Sequence, residues 1–178
     1  HPDDEAFGPG GTLYLYSKTH DVYVICVTHG EHGNNHNGST NGLAAIREKE
    51  LLSSAKILGI KEVFCLDHTD GTLSNNMYKN IADDIQTILD RLQPEIVISF
   101  EEKGVTGHID HIAVSLITHY IFYKSDYIKT LMLFCMPKQE ADITRPDYFV
   151  YVPEGYTSET ADKTVDISHV YETKVRAL

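Results

Sequence analysis

Residues 1–5 read "HPDDE", a segment whose residue types could hold a metal ion and act beside it. His1 and Asp4 are three positions apart, so they share a face if a helix starts here. Asp3 and Glu5 add two further carboxylates, and neighbouring carboxylates repel each other unless a cation lies close by. A bound cation would therefore explain this acidic run, whereas a solvated surface turn is the simpler alternative.

A second segment, "GHIDH" at residues 107–111, repeats this spacing. His108 and His111 are three positions apart at the start of a predicted helix. A mononuclear zinc site that does chemistry uses three protein ligands and keeps one position open for water. Because the two segments offer only nitrogen and oxygen donors, they predict a site for a hard-to-borderline divalent metal, with zinc as the first choice.

The elements that must position these residues alternate along the chain. Short apolar runs predict strands at residues 21–28, 62–67, 95–100, 130–136 and 146–152. Helical patterns are found at residues 8–20, 41–59, 77–94 and 110–123. The expected apolar stripes of the last three helices are Leu43, Ile46, Leu51, Ala55 and Leu58; Ile81, Ile85, Ile88 and Leu92; and Ile112, Leu116 and Tyr120. This alternation predicts an α/β fold with a mostly parallel sheet and helices on both faces.

Four polar segments are expected at one edge of that sheet, because sites in open α/β sheets form beyond the carboxyl ends of the strands. Three follow predicted strands: "HGEHG" at residues 29–33, "DHTDG" at 67–71 and "EEKGVTGHIDH" at 101–111. The fourth, "HPDDE", would lie at the same edge if a strand precedes residue 1. For the histidines outside the first and last segments we favour loop hydrogen bonding over metal ligation; these are His29, His32, His36 and His68.

The composition restricts the possible partners and the compartment. The 178 residues predict one domain, and 15 basic against 26 acidic residues give a net charge of −11. Without a Lys/Arg patch, neither a nucleic acid nor an anionic membrane surface is an expected partner. Three cysteines in separate apolar runs predict buried thiols and a reducing, cytoplasmic compartment. They are Cys26, Cys65 and Cys135.

The ordered set of motifs resembles the LmbE-like / PIG-L deacetylase family. The motifs that carry the resemblance are "HPDDE", "GPGGTL", "VTHGEHG", "AAIREKELLSSAKILGI", "LDHTDGTL", "GHIDHIAV" and "VDISHVYETKVRAL". The resemblance implies a Rossmann-like three-layer α/β/α fold and zinc-dependent removal of an N-acetyl group from an N-acetylglucosamine-containing glycoside. It also implies that residues 1–178 form one deacetylase domain that lacks the family's first strand and C-terminal tail. The sequence leaves the oligomeric state open, with a homo-oligomer among the alternatives.

The resemblance also implies roles for individual residues. His1, Asp4 and His111 would bind one Zn²⁺ per chain. Asp3 would be the general base, and His108 the acid or oxyanion partner, oriented by Asp110. Two residues would bind substrate: Arg47 near the reacting centre and Asp70 at sugar hydroxyls. The family often has Pro at the position of Ile109, a difference that affects loop rigidity more than chemistry.

Three other functions compete with this interpretation. A metal phosphoesterase would need a second ion or a basic phosphate clamp, for which Arg47 is the obvious candidate. A non-catalytic carbohydrate-binding domain would bind sugar without releasing acetate. A redox α/β domain would need a GxGxxG segment after a strand, and "GPGG" at residues 8–11 lacks that spacing.

Overall fold

The computed structural model describes residues 1–33, 42–142 and 154–178. It divides into two compact units, and each is described by itself. The first unit comprises His1–Gly71 with Val165–Leu178, and the second comprises Thr72–Thr164. The predicted strand at 146–152 and the predicted helix start at Asn41 lie outside the described residues. The single-domain interpretation stays a prediction.

The first unit contains a pair of parallel strands with short helices around them. Its elements are α1 (Asp4–Phe7), α2 (Gly10–Tyr16), β1 (Tyr23–Thr28), α3 (Leu43–Leu58), β2 (Glu62–His68), a 3-10 turn (Ser168–Val170) and α8 (Tyr171–Ala177). β1 and β2 pair in parallel from Tyr23 opposite Glu62 to Cys26 opposite Cys65. The register then shifts, so that Thr28 lies opposite His68. A buried cluster of Ala6, Leu58 and Ala177 packs α1, α3 and α8 together.

The second unit repeats the parallel arrangement. Its elements are α4 (Tyr78–Leu92), β3 (Ile96–Phe100), α5 (Gly104–Gly107), α6 (Ile109–Lys124), β4 (Thr130–Phe134) and α7 (Lys138–Ala141). β3 and β4 pair in parallel without a register shift, from Ile96 opposite Thr130 to Phe100 opposite Phe134. The predicted α/β class with parallel strands is therefore confirmed in both units.

The predicted apolar stripe of α3 is wrong at one position. Leu51, Ala55 and Leu58 are buried as expected, but Ile46 is 48% exposed. The first turn of α3 directs the next side chain, Arg47, to backbone carbonyls inside the unit. Successive side chains on a helix point in directions about 100° apart, so Ile46 is left on the solvent side.

The predicted apolar stripe of α6 is wrong along most of its length. Leu116 is 56% exposed and Tyr120 is 37% exposed. The face that packs inward carries Ile117 and Ile121 together with short polar residues that bond to β3. Ser115 Oγ donates to the carbonyl of Phe100 at 2.9 Å, and the Thr118 hydroxyl lies 3.1 Å from that of Ser99.

Helix α4 follows the prediction more closely. Ile81 and Ile85 are buried, while Leu89 takes the buried place expected for the partly buried Ile88.

Among the described residues, no helix combines the length and the apolar character needed to cross a bilayer. All three cysteines are free thiols, with Cys26 buried and the other two partly buried.

Candidate metal centre

The HPDDE segment of the first unit carries a buried histidine–carboxylate pair. His1 Nε2 lies 2.9 Å from Asp70 Oδ1, and the two side chains are only 10% and 8% exposed. A carboxylate only accepts hydrogen bonds, so neutral His1 carries its proton on Nε2 and its lone pair on Nδ1. Pairs of this kind orient metal-binding imidazoles and raise their basicity.

Asp70 is itself fixed by the loop that follows β1. Its Oδ2 accepts from the backbone N–H of His32 at 3.0 Å, and its own N–H donates to Glu31 Oε1 at 2.9 Å. The His32 ring donates from Nδ1 to the Asp70 carbonyl at 2.6 Å. His32 therefore makes hydrogen bonds within the loops, the role that the sequence analysis favoured over metal ligation. Both carboxylate oxygens of Asp70 bond within the protein, which favours a positioning role toward His1; contact with a sugar stays a prediction.

Asp3 is the most exposed carboxylate of this segment. Its side chain is 48% exposed, and its Oδ2 accepts from Arg47 Nη2 at 2.8 Å. Partial burial, together with the neighbouring charge of Asp4, raises the pKa of Asp3 to about 6, against the opposing effect of Arg47. A carboxylate with such a pKa is mostly ionised at pH 7 and is more basic than an ordinary aspartate, which suits a general base.

Arg47 joins three parts of the first unit. Besides Asp3, its guanidinium donates to the carbonyls of Pro2 at 2.6 Å and Gly30 at 2.9 Å. Gly30 has φ of +65°, and a Cβ there would lie 2.0 Å from Arg47 Nη1. Only glycine allows the guanidinium to lie this close to the backbone. The contacts define Arg47 as a clamp on the turn that carries Asp3, while contact with substrate stays a prediction.

Glu5, for which the sequence suggested no definite role, supports the same turn from inside. Its side chain is buried, with Oε1 accepting from Ser54 Oγ at 2.5 Å and Oε2 accepting from the backbone N–H of Asp3 at 3.0 Å. Asp3 has φ of 112°, a conformation that is costly for a residue other than glycine. Asp4 Oδ2 lies 2.7 Å from the backbone nitrogen of His1. Glu5 thus stabilises the strained turn between these two aspartates.

In the second unit, His111 has one ring nitrogen fixed by the backbone. Nδ1 lies 3.0 Å from the carbonyl oxygen of Gly104. A carbonyl only accepts, so Nδ1 carries the proton and Nε2 carries the lone pair that a metal needs. The ring also stacks on Phe100 with centroids 4.2 Å apart, which fixes its plane.

His108 caps α6 and lies beside His111. The backbone N–H of Asp110 donates to His108 Nδ1 at 3.1 Å, so neutral His108 has its proton on Nε2. The rings of His108 and His111 stack with centroids 4.9 Å apart, and each offers a nitrogen within 4.8 Å of the other. Asp110 is buried, and its Oδ1 accepts from the N–H of Leu73 at 3.1 Å. This contact of Asp110 with His108 is made by a backbone N–H at Nδ1, and a role for the Asp110 carboxylate in orienting His108 stays a prediction.

The donors present fit a zinc ion by their chemistry. The first unit supplies His1, Asp3 and Asp4, the second supplies His108 and His111, and no thiol lies among them. An imidazole fixed by a carboxylate, as at His1, or by a backbone carbonyl, as at His111, is typical of zinc ligands, so each motif by itself suits such an ion.

Sequence reasoning missed several residues that support the site. Ser54 and Tyr156 gave no signal, because each meets its partner only through the fold: 49 positions separate Ser54 from Glu5, and 55 separate Tyr156 from Glu101. Glu101 had a signal, since it directly follows a predicted strand in "EEKGVTGHIDH".

A parallel α/β fold with imidazole and carboxylate groups in its HPDDE and GHIDH motifs suits a metal-binding protein, and comparison with known proteins gives the family. Residues 1–122 match the PIG-L family, described as GlcNAc-PI de-N-acetylase. The chain belongs to this family. Because the matched segment contains both HPDDE and GHIDH, the resemblance drawn from the sequence is confirmed.

Individual relatives agree with the family. The chain is 36% identical over 116 residues to the probable N-acetyl-alpha-D-glucosaminyl L-malate deacetylase 2 of Bacillus anthracis, a match that covers 62% of this chain and 51% of that protein. The chain thus spans about half the length of this curated relative. A solved structure of the N,N'-diacetylchitobiose deacetylase of Pyrococcus horikoshii, complexed with its inhibitor MPG, has a TM-score of 0.72 and 28% identity. That match covers 99% of this chain and 65% of the other.

A third similarity concerns the fold alone. The 4-carboxy-2-hydroxymuconate hydratase GalB of Pseudomonas putida KT2440 has a TM-score of 0.67 and 21% identity, with 99% of this chain and 73% of that chain covered. A hydratase and a deacetylase therefore share this fold. The activity has to be argued from residues of the site.

Proposed function

We propose that this chain carries the catalytic site of a metal-dependent de-N-acetylase that acts on an N-acetylglucosamine-containing glycoside. Hydrolysis of the acetamide would release acetate and a free amine. The observation that carries this proposal is the family match over residues 1–122, because one matched segment contains both histidine–aspartate motifs. The named substrates of the relatives differ in the group attached to N-acetylglucosamine, so the acetylated sugar is the shared feature that we assign.

We assign the metal to His1, Asp4 and His111, as one Zn²⁺ per chain. The fixed lone pair on His111 Nε2 and the carboxylate behind His1 support this assignment. When bound, zinc lowers the pKa of a coordinated water toward neutrality and polarises a carbonyl.

Asp3 is the proposed general base. It is the aspartate of the turn that Arg47 holds and that stays half-exposed, so it can accept a proton from the attacking water. The two carboxylates have different partners, Arg47 for Asp3 and the His1 nitrogen for Asp4, which suits a division between one ligand and one base.

His108 is proposed to face the developing oxyanion. With its Nδ1 occupied by the Asp110 N–H, neutral His108 presents an N–H at Nε2 that can donate to the carbonyl oxygen as negative charge develops. Protonation of Nδ1 would set two N–H groups against each other. The contact therefore favours a hydrogen-bond donor role at this stage. Transfer of the Nε2 proton to the leaving amine would first require a proton on Nδ1, which breaks the Asp110 contact and leaves a neutral imidazole after the transfer.

The proposal is tested by loading the protein with one equivalent of Zn²⁺ and incubating it with a panel of N-acetylglucosaminides. Free amine and acetate should appear in equal amounts. Asp3→Ala should keep the ion and lose about 10²–10⁴ in rate. Asp126→Ala, a change of an exposed aspartate on the second unit, is the matched control.

Each rival function predicts a different result in this experiment. A content of two ions per chain with phosphate ester cleavage would favour a phosphoesterase. Sugar binding without acetate release, unchanged by Asp3→Ala, would favour a binding domain. Absence of amine release from every acetylated sugar in the zinc-loaded protein would refute the deacetylase assignment.

The proposed partner is a small acetylated glycoside, and we also propose a cytoplasmic setting, because three free thiols suit a reducing compartment.

A further inference from the structure

We propose that Glu101, supported by Tyr156, is a positioning residue that fixes the His111 imidazole for metal binding through the carbonyl of Gly104. This inference rests on the proposed function in taking His111 as a ligand. All four residues belong to the second unit.

Glu101 is a buried carboxylate whose two oxygens accept three hydrogen bonds. The side chain is only 4% exposed. Oε1 accepts from the N–H of Val105 at 2.7 Å, and Oε2 accepts from the N–H of Lys103 at 2.9 Å and the hydroxyl of Tyr156 at 3.1 Å. Burying a carboxylate is costly unless its lone pairs are satisfied, and these three donors satisfy them.

The loop that Glu101 holds has a conformation that the chain would not adopt unaided. Gly104 has φ of +71°, and the next residue, Val105, has φ of 63° and ψ of −53°. Positive φ is unfavourable for a β-branched side chain and persists only where surrounding contacts impose it. Glu101 supplies such contacts with its carboxylate to Val105 and with its carbonyl oxygen, which accepts from the N–H of Gly104 at 2.9 Å.

The strained loop brings one carbonyl to His111. Gly104 lies so close to α6 that a Cβ on it would be 3.0 Å from the Cβ of His111 and 3.0 Å from the backbone nitrogen of Ile112. From this position the Gly104 carbonyl accepts from His111 Nδ1 at 3.0 Å. The path from Glu101 to the metal-binding nitrogen thus consists of one loop and one hydrogen bond.

Tyr156 completes the carboxylate's set of donors from a part of the chain beyond the family match, which ends at residue 122. Its backbone is fixed beside the end of β4, because its N–H donates to the Met136 carbonyl at 2.9 Å and its carbonyl accepts from the Lys138 N–H at 2.8 Å. Burial and the nearby Glu101 charge raise the pKa of Tyr156 to about 12. The hydroxyl therefore remains a donor throughout the working pH range.

The test uses Glu101→Gln, which keeps the size of the side chain but replaces one oxygen with an NH₂ group. The Tyr156 hydroxyl can turn to accept from that group, but the Lys103 and Val105 N–H groups cannot. One backbone donor is therefore left facing an N–H. Tyr156→Phe removes a single donor, and Glu102→Gln removes the same charge from an exposed neighbour and is the matched control.

Two measurements on the full chain decide the proposal. Competition with a chromophoric chelator should show Zn²⁺ bound about 10–100-fold more weakly by Glu101→Gln, and several-fold more weakly by Tyr156→Phe, as for other changes behind a metal ligand. In the metal-free protein, long-range ¹H–¹⁵N spectra should show the Nδ1–H form of His111 in the native chain and in Glu102→Gln, and a mixture of the two tautomers in Glu101→Gln.

Native zinc affinity together with an unchanged His111 tautomer in Glu101→Gln would overturn the inference. A purely structural role would lower stability without moving the tautomer, which also counts against it. If Glu101→Gln does not fold, Tyr156→Phe decides by the same two measurements. A native protein that binds no zinc refutes the proposed function, whereas the tautomer spectra of the metal-free chains still test the link from Glu101 to His111.

Discussion

Glu5 offers the sharpest test of how the HPDDE turn is held, because its two hydrogen bonds can be removed separately. Glu5→Ala deletes the acceptor of both the Ser54 hydroxyl and the Asp3 N–H. Each buried donor left without a partner costs about 1–3 kcal/mol. The Ser54 hydroxyl can recover part of this by turning to a carbonyl one helical turn earlier. We therefore expect Glu5→Ala to lower the free energy of unfolding by about 2–4 kcal/mol.

Glu5→Gln should be far milder, and this contrast tests the geometry rather than the size of the side chain. The amide oxygen can accept from Asp3, while the amide NH₂ can donate to the Ser54 oxygen, since a hydroxyl both donates and accepts. Both contacts survive without charge, so the loss should stay within about 1 kcal/mol. Ser54→Ala removes one hydrogen bond to a charged group and should cost about 1.5–3 kcal/mol.

The assay is urea unfolding of the metal-free chain, followed by far-ultraviolet circular dichroism. Glu50→Ala is the matched control, because Glu50 is exposed on the same helix that carries Ser54. The double variant Glu5→Ala/Ser54→Ala should show a coupling of about 1–3 kcal/mol between the two sites. If Glu5→Ala unfolds at the same urea concentration as Glu50→Ala, Glu5 does not support this turn and the argument is wrong.

Three further predictions concern the residues beside Glu5 and the second motif. His111→Ala should leave the purified chain without bound zinc after dialysis, measured by metal analysis; one ion per chain would contradict its role as a ligand. Arg47→Ala should lower kcat about 10–100-fold. It should also move the acidic limb of the pH–rate profile to higher pH, because Arg47 lowers the pKa of Asp3. An acidic limb at the native pH would argue against the clamp. Folding raises the pKa of Asp3 from 3.8 to about 6, so the folded state holds the proton more tightly and the metal-free chain should lose stability as pH rises from about 4 to 6. The urea midpoint of Asp3→Asn should not show that loss. Parallel curves of midpoint against pH for the two chains would disprove the prediction.

The class of fold was within reach of the sequence because it depends on local patterns. Short apolar runs alternate with helical periodicity, and this alternation predicts parallel strands whatever the details of packing. Four of the predicted strands are found, with ends that differ by a few residues. The two motifs were also readable, since the three-residue spacings in HPDDE and GHIDH are properties of short segments.

Packing faces were less predictable, and α6 shows why. Apolar residues occur on several sides of that helix, so periodicity alone does not select the buried side. The buried side carries Ile117 and Ile121 together with Ser115 and Thr118, whose hydroxyls bond to β3. That side combines apolar burial with hydrogen bonds to a neighbouring strand, and Leu116 and Tyr120 lie outside it.

The sequence by itself determined the α/β class, the family and the residue types that can hold a metal, because all three follow from local periodicity and short motifs. Only the tertiary structure decided which groups hold those residues in place. One such contact, between Asp70 and His1, joins residues that are distant in sequence. Two others hold strained backbone in place: Glu5 bonds to the Asp3 turn, and Glu101 bonds to the loop before His111. Hydrogen bonds of this kind depend on distances of about 3 Å between buried atoms, which arise only when the chain has folded.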